Sequence, residues 1–289
     1  MSRRILNGAI GTLVSLMAVT SACWAQDQCL DAVKERGVLV SANGVLGLKP
    51  YVWKNEATGQ YEGFEAEILA EIANRIGVDK WDYAVTEWST MIPGMKAGRW
   101  DIIISSMFAN QERIQGADIA FTNPYFRLYN VVTVLKDSPI QTIDDLKGKT
   151  VASVLGTMDS ANAHVMKDKG QVAEVLDFNG FGEPFQALRS GQAAAVVLDH
   201  GSYHAQQEEL GDIRTVGEPM DYHPKPEWAD AEAKASYILG SLAIGVRKEC
   251  SDLTGAINQA LADMEADGTR KKILEKYDIW SEQQTVLTK

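Results

Sequence analysis

Apolar and polar positions alternate between short β-rich runs and amphipathic helical stretches, and this alternation occurs twice along the chain. In the first part the pattern predicts strands over 37–42, 81–86, 101–106 and 128–135 and helices over 63–77 and 89–98, with Ser89 as the N-cap of the second helix. In the second part it predicts strands over 150–155, 172–178, 193–198, 213–216 and 238–246 and helices over 157–169, 183–190, 201–210, 251–267 and 269–277. This order predicts an α/β fold with two doubly wound lobes.

A faint internal repeat links the two parts of the chain. Residues 91–103 and residues 184–196 each read as a helix, a glycine stop and a buried strand. The first of these strands ends at Ser105 and Ser106, and the second ends at Asp199. Because α/β proteins bind ligands at the carboxyl ends of strands, a ligand held between two such lobes could contact both ends.

Arg113 follows Ser106 by seven residues and adds a positive charge to this predicted site. Hydroxyl groups together with a guanidinium suit a small carboxylate, because arginine presents a planar fork of donors. A buried strand followed by a polar loop and a surface arginine is the structural alternative for the same segment.

The N-terminal residues have the pattern of a secretory signal peptide. Arg3 and Arg4 precede a short, mostly apolar stretch, and Ala25 is a small residue at the expected cleavage site. We therefore predict a signal peptide over 1–25 and an exported mature protein. Lipoprotein processing at Cys23 is the alternative, although the residues before it lack the usual large aliphatic side chain.

Composition excludes several classes of partner. The 289-residue chain has a net charge of -11, and removal of 1–25 would leave 264 residues with a net charge of -13, because Arg3 and Arg4 would be lost. An acidic protein without a basic cluster is a poor candidate for binding nucleic acid or an anionic membrane surface. Without Cys23, Cys29 and Cys250 would remain, and in an exported protein they can pair or stay separate thiols.

Several segments, in shared order and spacing, resemble the periplasmic polar-amino-acid-binding proteins that feed ABC importers (solute-binding protein family 3). They include Gly37-Val38-Leu39-Val40, Tyr61-Glu62-Gly63-Phe64-Glu65, Trp88-Ser89-Thr90-Met91, Phe121-Thr122-Asn123-Pro124-Tyr125, Asp145-Leu146-Lys147-Gly148 and Ala266-Asp267-Gly268-Thr269. The resemblance implies a periplasmic-binding-protein-like fold with lobe one over 26–128 and 220–289, lobe two over 132–214, and crossover hinges over 129–131 and 215–219. It also implies a periplasmic monomer that delivers a small zwitterionic ligand to an ABC importer permease.

The ligand site of this family carries over onto matching positions. Arg113 matches the arginine that binds the ligand carboxylate, and Thr157 and Met158 match a helix start whose backbone N–H groups face that carboxylate. The Ser106 backbone carbonyl and the Asp199 side chain match the groups that accept hydrogen bonds from the ligand ammonium. The other matching positions surround the ligand side chain or adjoin its carboxylate: Trp88, Leu48, Asn43 and Phe108.

Three positions depart from the family pattern. Phe108 stands where Ser or Thr is usual, Met158 where a second Thr is usual, and Leu48 where an aromatic lid is usual. The pocket is therefore more apolar than in the family, which indicates a modified, N-substituted or less polar amino-acid-like ligand. An ordinary amino acid bound mainly through backbone groups is the alternative. The segment 227–236 is longer than usual, and the sequence assigns no function to it.

Two other functions remain open from the sequence. Some dehydratases resemble this family and use the same cleft, so a cyclohexadienyl-dehydratase-like enzyme is one alternative, and a ligand-sensing module for a membrane receptor is the other. His200, His204 and Glu208 fall one helical turn apart, but their number and type are insufficient for a metal site, and a solvated helix face is the simpler interpretation. The sequence contains no nucleophile elbow and no phosphate-binding glycine loop. We therefore predict no catalytic residue, no metal and no cofactor.

Overall fold

The computed structural model describes residues 28–289, so the predicted signal peptide and the alternative at Cys23 lie outside the described residues. The helices are α1 (Cys29–Arg36), α2 (Phe64–Arg75), α3 (Met91–Lys96), α4 (Met158–Asp168), α5 (Glu183–Arg189), α6 (His200–Leu210), α7 (Ala229–Ala233), α8 (Ser251–Ala266) and α9 (Thr269–Lys276). The strands are β1 (Val38–Asn43), β2 (Trp53–Lys54), β3 (Tyr61–Glu62), β4 (Lys80–Val85), β5 (Ile102–Ile103), β6 (Ile119–Arg127), β7 (Asn130–Leu135), β8 (Thr150–Val154), β9 (Glu174–Phe178), β10 (Ala195–Asp199), β11 (Ile213–Met220) and β12 (Ser241–Arg247).

Two five-stranded sheets form the centres of two lobes. The first sheet has the order β4-β1-β5-β12-β6, and the second has the order β11-β7-β10-β8-β9. In the first sheet β1 pairs in parallel with β4 and β5, and β12 pairs antiparallel with β5 and β6. In the second, β8 pairs in parallel with β9 and β10, and β7 pairs antiparallel with β10 and β11. The two-lobed α/β prediction is therefore confirmed.

Amphipathic helices cover the sheets. In α2 the predicted apolar face is buried: Ile68, Leu69 and Ile72 have no exposed surface, and Ile72 follows Leu69 by three residues and Ile68 by four along the helix. Each such side chain contributes on the order of 1.5–3 kcal/mol when it leaves water. Strand β10 is buried along its whole length, as expected for a central strand with a helix on each face.

The strand predicted over 101–106 is much shorter in the structure, where β5 contains only Ile102 and Ile103. Beyond it, side-chain oxygens replace the ladder partners: the Ser41 hydroxyl accepts from the N–H of Ile104, and the Glu65 carboxylate accepts from the N–H of Ser106. Ser106 has a φ of +51°, which is incompatible with a continuing strand.

Strand β6 was not predicted, because Asn123-Pro124 within it reads as a turn. It lies at the edge of the first sheet, and its pairing with β12 is irregular on either side of the Pro124–Ala243 pair. Proline lacks an N–H and is tolerated at such an edge position. The capping prediction for Ser89 was also wrong: a short 3-10 turn, Trp88–Thr90, precedes α3, whose N-cap is Thr90 and has no side-chain capping bond.

The chain passes between the sheets twice, at adjacent points. Only Leu128 and Tyr129 separate β6 of the first sheet from β7 of the second. The chain leaves the second sheet after Met220, which is the register partner of Asn130. All strands of the second sheet therefore come from one continuous segment.

A disulfide lies within the first lobe. It joins Cys29, the first residue of α1, to Cys250, the N-cap of α8, across a sequence separation of 221 residues, with a Cα–Cα distance of 5.4 Å. Cys250 is completely buried. In residues 28–289, no helix is long and apolar enough to cross a membrane.

Candidate functional site

A narrow cavity of about 10 Å³ lies between the two lobes. Both lobes contribute to its wall, which is formed by Val45, Leu48, Tyr51, Trp88, Ser106, Phe108, Leu128, Thr157, Asp159, Phe181 and Asp199. A cavity of this size holds about one water molecule, so the side chains of the two lobes nearly fill the space between them.

Hydrogen bonds and ring contacts join the lobes around this cavity. The Tyr51 hydroxyl donates to Oδ1 of Asp199 at 2.7 Å, and the Trp88 indole approaches the Gly156 carbonyl at 3.4 Å. The rings of Trp88 and Phe181 meet edge to face, with centroids 5.6 Å apart. These contacts join the first lobe to the second lobe directly at the cavity wall.

Asp199 is positioned by the end of β10 and the start of α6. Its side chain caps the helix by accepting from the N–H of Ser202 at 2.9 Å and from the Ser202 hydroxyl at 2.6 Å. A carboxylate is favourable there, because unpaired N–H groups and the positive end of the helix dipole face it. The cap holds the carboxylate at the cavity wall, where 5% of the residue is exposed.

Asp159 is a second carboxylate in the same wall. It stands in the first turn of α4, and its Oδ1 accepts from the Asn130 amide and the Tyr222 hydroxyl, each at 2.8 Å. Burial, and secondly the charge of Asp199, raise the pKa of Asp159 well above its usual range, although its hydrogen bonds act in the opposite direction. The negative charge of Asp199 therefore disfavours ionisation of Asp159 across this small space.

Glu65 lies directly behind the cavity wall and is completely buried. Its Oε1 accepts from the N–H of Ser106 at 2.6 Å and from the Tyr125 hydroxyl at 2.5 Å, whereas its Oε2 has no hydrogen-bond partner. Burial raises the pKa of Glu65 to about 7. The Glu65 bonds fix Ser106 in its left-handed conformation and so set the shape of the wall.

Arg113 contacts both lobes but does not line the cavity. Its Nη1 donates to the Phe108 carbonyl at 2.8 Å and its Nη2 to the Gly156 carbonyl at 3.2 Å. The guanidinium lies 5.8 Å from the centre of the Trp88 ring. Burial lowers the pKa of Arg113 to about 10. In this conformation the guanidinium links the lobes through backbone carbonyls.

Aromatic rings make up much of the remaining wall. Phe108 packs on the Tyr222 ring at a centroid distance of 4.5 Å, and Trp88 and Phe181 form the edge-to-face pair already described. Leu48 is half-buried and also lines the cavity. Apolar side chains therefore make up much of the observed wall, and the prediction that the pocket is more apolar than in the family stays a prediction.

The structure brings six of the predicted site residues to the cavity: Ser106, Trp88, Asp199, Thr157, Phe108 and Leu48. It places three elsewhere. Asn43 is buried, and its Oδ1 accepts from the N–H of Val45; Met158 accepts through sulfur from the Asn110 amide at 3.1 Å; and Arg113 has the carbonyl contacts given above. The N–H of Thr157 donates to the Val154 carbonyl, so it is already used within the protein.

Sequence reasoning missed Tyr51, Asp159 and Phe181. Asp159 follows the predicted pair Thr157 and Met158, so the helix start was found but its third residue was overlooked. Tyr51 had no local sign of its role, because the role depends on Asp199 and on the lack of a side chain at Gly201. A Cβ on Gly201 would lie 1.8 Å from the Tyr51 hydroxyl oxygen.

The proposed solvated helix face at His200, His204 and Glu208 is wrong for His200. Its ring stacks on Tyr129 with centroids 3.9 Å apart, its Nδ1 is buried without a partner, and burial lowers its pKa to about 4. Among residues 28–289, no group of three or more His, Cys, Asp or Glu side chains is placed to hold a metal ion.

Two lobes with a cavity between them define a periplasmic-binding-protein-like molecule. The sequence pattern of the bacterial extracellular solute-binding proteins, family 3, matches residues 44–279, and the chain belongs to this family. It is 29% identical over 280 residues to the ABC transporter glutamine-binding protein GlnH of Bacillus subtilis, covering 92% of this chain and 94% of that protein.

Solved structures agree with this assignment. The P235GK mutant of ArgBP from T. maritima has a TM-score of 0.71 and 30% identity, covering 86% of this chain and 98% of that chain. The ancestral amino acid-binding protein AncCDT-1, described as a precursor of cyclohexadienyl dehydratase, has a TM-score of 0.69 and 28% identity, covering 86% of this chain and 98% of that chain.

The raised pKa of Glu65 predicts a specific pH dependence of stability. The ordinary pKa of 4.5 rises to about 7 on folding, so the folded state holds this proton more tightly than the unfolded state. The stabilisation is therefore full below about pH 4.5 and is lost as the pH rises through about 7. We expect wild type to lose about 3 kcal/mol relative to Glu65→Gln over this range, at about 1.4 kcal/mol per pKa unit.

Urea unfolding of both proteins from pH 4.5 to pH 8 measures this difference. Glu71→Gln is the matched control, because Glu71 lies on the same helix and is partly exposed, with 37% of its side chain accessible. The control should follow wild type at every pH. If the free energy of unfolding of wild type and of Glu65→Gln changed with pH in the same way, the pKa of Glu65 would not be raised in the folded state.

Proposed function

We propose that this protein captures a small amino-acid-like solute between its two lobes in the periplasm and delivers it to an ABC importer. The observation that carries the proposal is the small cavity whose wall combines Tyr51, Trp88 and Ser106 of one lobe with Asp159 and Asp199 of the other. Family membership supports the transport role, because relatives such as the glutamine-binding protein of Bacillus subtilis are named as ABC transporter components.

Lobe movement is part of this proposal. We infer hinges over 129–131 and 215–219, next to the two adjacent points where the chain passes between the sheets. Two neighbouring crossovers permit rotation of rigid lobes. A bound solute that contacts both walls would favour the closed arrangement, and this arrangement would be the form that the permease recognises.

We infer a binding role and not catalysis. Glu65 has a pKa of about 7 and so is suited to proton transfer at neutral pH, but it lies behind Ser106 and is not part of the cavity wall. The dehydratase alternative predicts turnover of prephenate or a related cyclohexadienyl acid, and the sensor alternative predicts binding to a receptor without import.

Identification of a co-purified solute, combined with small-angle scattering, tests the proposed function. We expect denaturation of the purified protein to release a small solute that mass spectrometry identifies. We also expect the radius of gyration of the refolded protein to decrease when this solute is added back. Asp199→Asn should weaken binding by about tenfold or more, because a charge-assisted contact is lost. Binding without a change in the radius of gyration would contradict capture by lobe closure, and prephenate turnover would favour the enzyme.

A further inference from the structure

The segment 221–237 begins just after the second inferred hinge and contacts both lobes; we call it the strap. It contributes Trp228 to the wall of a second, larger cavity of about 780 Å³. Arg113 of the first lobe and Thr157 of the second lobe line the same cavity. The sequence assigned no function to 227–236, which is the greater part of the strap. Its contacts suggest what it does.

The first residues of the strap are held by helix α4 of the second lobe. The amide nitrogen of Asn162, on α4, donates to the carbonyl of Asp221 at 3.1 Å. The amide oxygen of the same side chain accepts from the N–H of His223 at 3.0 Å. Between these two contacts, the Tyr222 hydroxyl donates to Asp159 in the first turn of α4 at 2.8 Å. The Tyr222 ring packs in the core of the first lobe, so these three hydrogen bonds join the lobes.

The later residues of the strap hold the turn that carries Arg113. Glu232 is buried, and its Oε1 accepts from the N–H of Gln111 at 2.5 Å. The Trp228 ring packs over Gly116, where an added Cβ would lie 3.4 Å from a ring carbon. The strap therefore contacts the turn on both sides of Arg113 in the sequence.

The Arg113 side chain completes a closed set of contacts between the lobes. Its Nη2 donates to the carbonyl of Gly156, and the next residue, Thr157, is the N-cap of α4. The strap thus contacts the side of α4, and the turn that it holds contacts the start of α4. Because the strap follows the hinge at 215–219 and packs on the first lobe, its contacts with α4 need the lobes to be together.

We propose that the strap stabilises the closed arrangement of the lobes, with Asn162 positioning the strap on α4 and Glu232 positioning the Arg113 turn on the strap. This assignment rests on the proposed solute-binding function and adds two positioning residues to it. Neither residue is part of the described wall of either cavity. Contacts that form only between closed lobes favour that state over the open one, and so they slow the release of a captured solute.

The rate constants of solute binding distinguish this role from ordinary packing. Stopped-flow tryptophan fluorescence with L-glutamine as the probe gives both rate constants, and the solute released from the purified protein replaces L-glutamine if wild type does not bind it. We expect Asn162→Ala to raise the dissociation rate constant about tenfold, because two hydrogen bonds between the lobes are lost. The association rate constant should stay within about twofold of wild type, because the probe meets open lobes.

Asn74→Ala is the matched control, because Asn74 is an exposed asparagine on helix α2. It should have the rate constants of wild type. Asn162→Ser provides a second variant if Asn162→Ala does not fold, because its short side chain also cannot make both contacts with the strap backbone.

Glu232→Ala and Glu232→Gln test the other end of the strap. We expect Glu232→Ala to raise the dissociation rate constant about tenfold. Glu232→Gln should restore most of the wild-type behaviour, because an amide oxygen can also accept from the N–H of Gln111. In the double variant Asn162→Ala/Glu232→Ala, the increase should be smaller than the product of the two single increases, because both residues act through one strap.

The outcomes separate this assignment from the proposed function. Wild-type dissociation rate constants in the folded Asn162 and Glu232 variants, together with normal binding by wild type, would overturn the role of the strap and leave the solute-binding proposal intact. Single increases that multiply in the double variant would overturn the connection between the two residues. Failure of folded wild type to bind either probe would count against both proposals.

Discussion

Gly201→Ala is expected to abolish normal closure of the lobes and to weaken ligand binding by roughly a hundredfold, about 2.7 kcal/mol. The new Cβ would lie 1.8 Å from the Tyr51 hydroxyl oxygen and 2.4 Å from the ring carbon that carries it. This hydroxyl belongs to the opposite lobe and donates to Asp199. The two lobes must therefore separate to accommodate the methyl group, while each lobe keeps its own packing.

Small-angle scattering with and without ligand, together with calorimetric titration, measures this effect. Gly255→Ala is the matched control, since Gly255 is also helical but its Cβ would meet nothing within 4 Å. The control should close and bind like wild type. Wild-type affinity and compaction in Gly201→Ala would show that the contact between Tyr51 and residue 201 is not part of the ligand-bound form.

Loss of the Cys29–Cys250 disulfide is expected to destabilise the protein by up to roughly 5 kcal/mol, because the bond closes a very long loop in the unfolded chain. For a chain of this size, such a loss corresponds to a decrease in Tm of about 10 °C or more. Both cysteines lie in the first lobe, away from the cavity wall. Ligand affinity of the folded Cys29→Ala/Cys250→Ala variant should therefore stay within about twofold of wild type.

Thermal unfolding of wild type with and without reductant, and of the single and double variants, measures this contribution. Cys29→Ala alone should lose nearly as much stability as the double variant if the bond is responsible. A loss confined to variants of Cys250, which is completely buried, would indicate a packing cavity. An unchanged Tm of wild type in reductant would contradict a stabilising disulfide.

The sequence predicted the parts of the site that depend on local pattern. Asp199 ends a run of apolar residues and begins a helix, so strand end and N-cap coincide in a recognisable way. Thr157 caps α4 by accepting from the N–H of Ser160. Its position directly after Gly156 likewise predicted the start of this helix. Ser106 was found because polar residues follow the buried strand, although the strand itself proved shorter.

The parts that depend on the approach of the two lobes could not be predicted in this way. Arg113 has the side chain expected for a carboxylate, but Gly156 of the other lobe comes close enough to use its donors. Asp159 looked like an ordinary first-turn acid, which is favourable at any helix start. Its position near Asp199 follows from the pairing of β8 with β10 in the second sheet, which places the ends of these two strands side by side. Tyr51 acquires its role from residues about 150 positions further along the chain.

Asn130 and Met220 lie next to each other, so the segment between them can be treated as one exchangeable unit. Because these residues are register partners, the chain enters and leaves the second sheet at one place, as an inserted cassette does. No strand of the first sheet comes from 130–220. A short linker in place of that segment would keep the first sheet's strand order. Exchanging the segment between relatives would transplant half of a binding site as one piece.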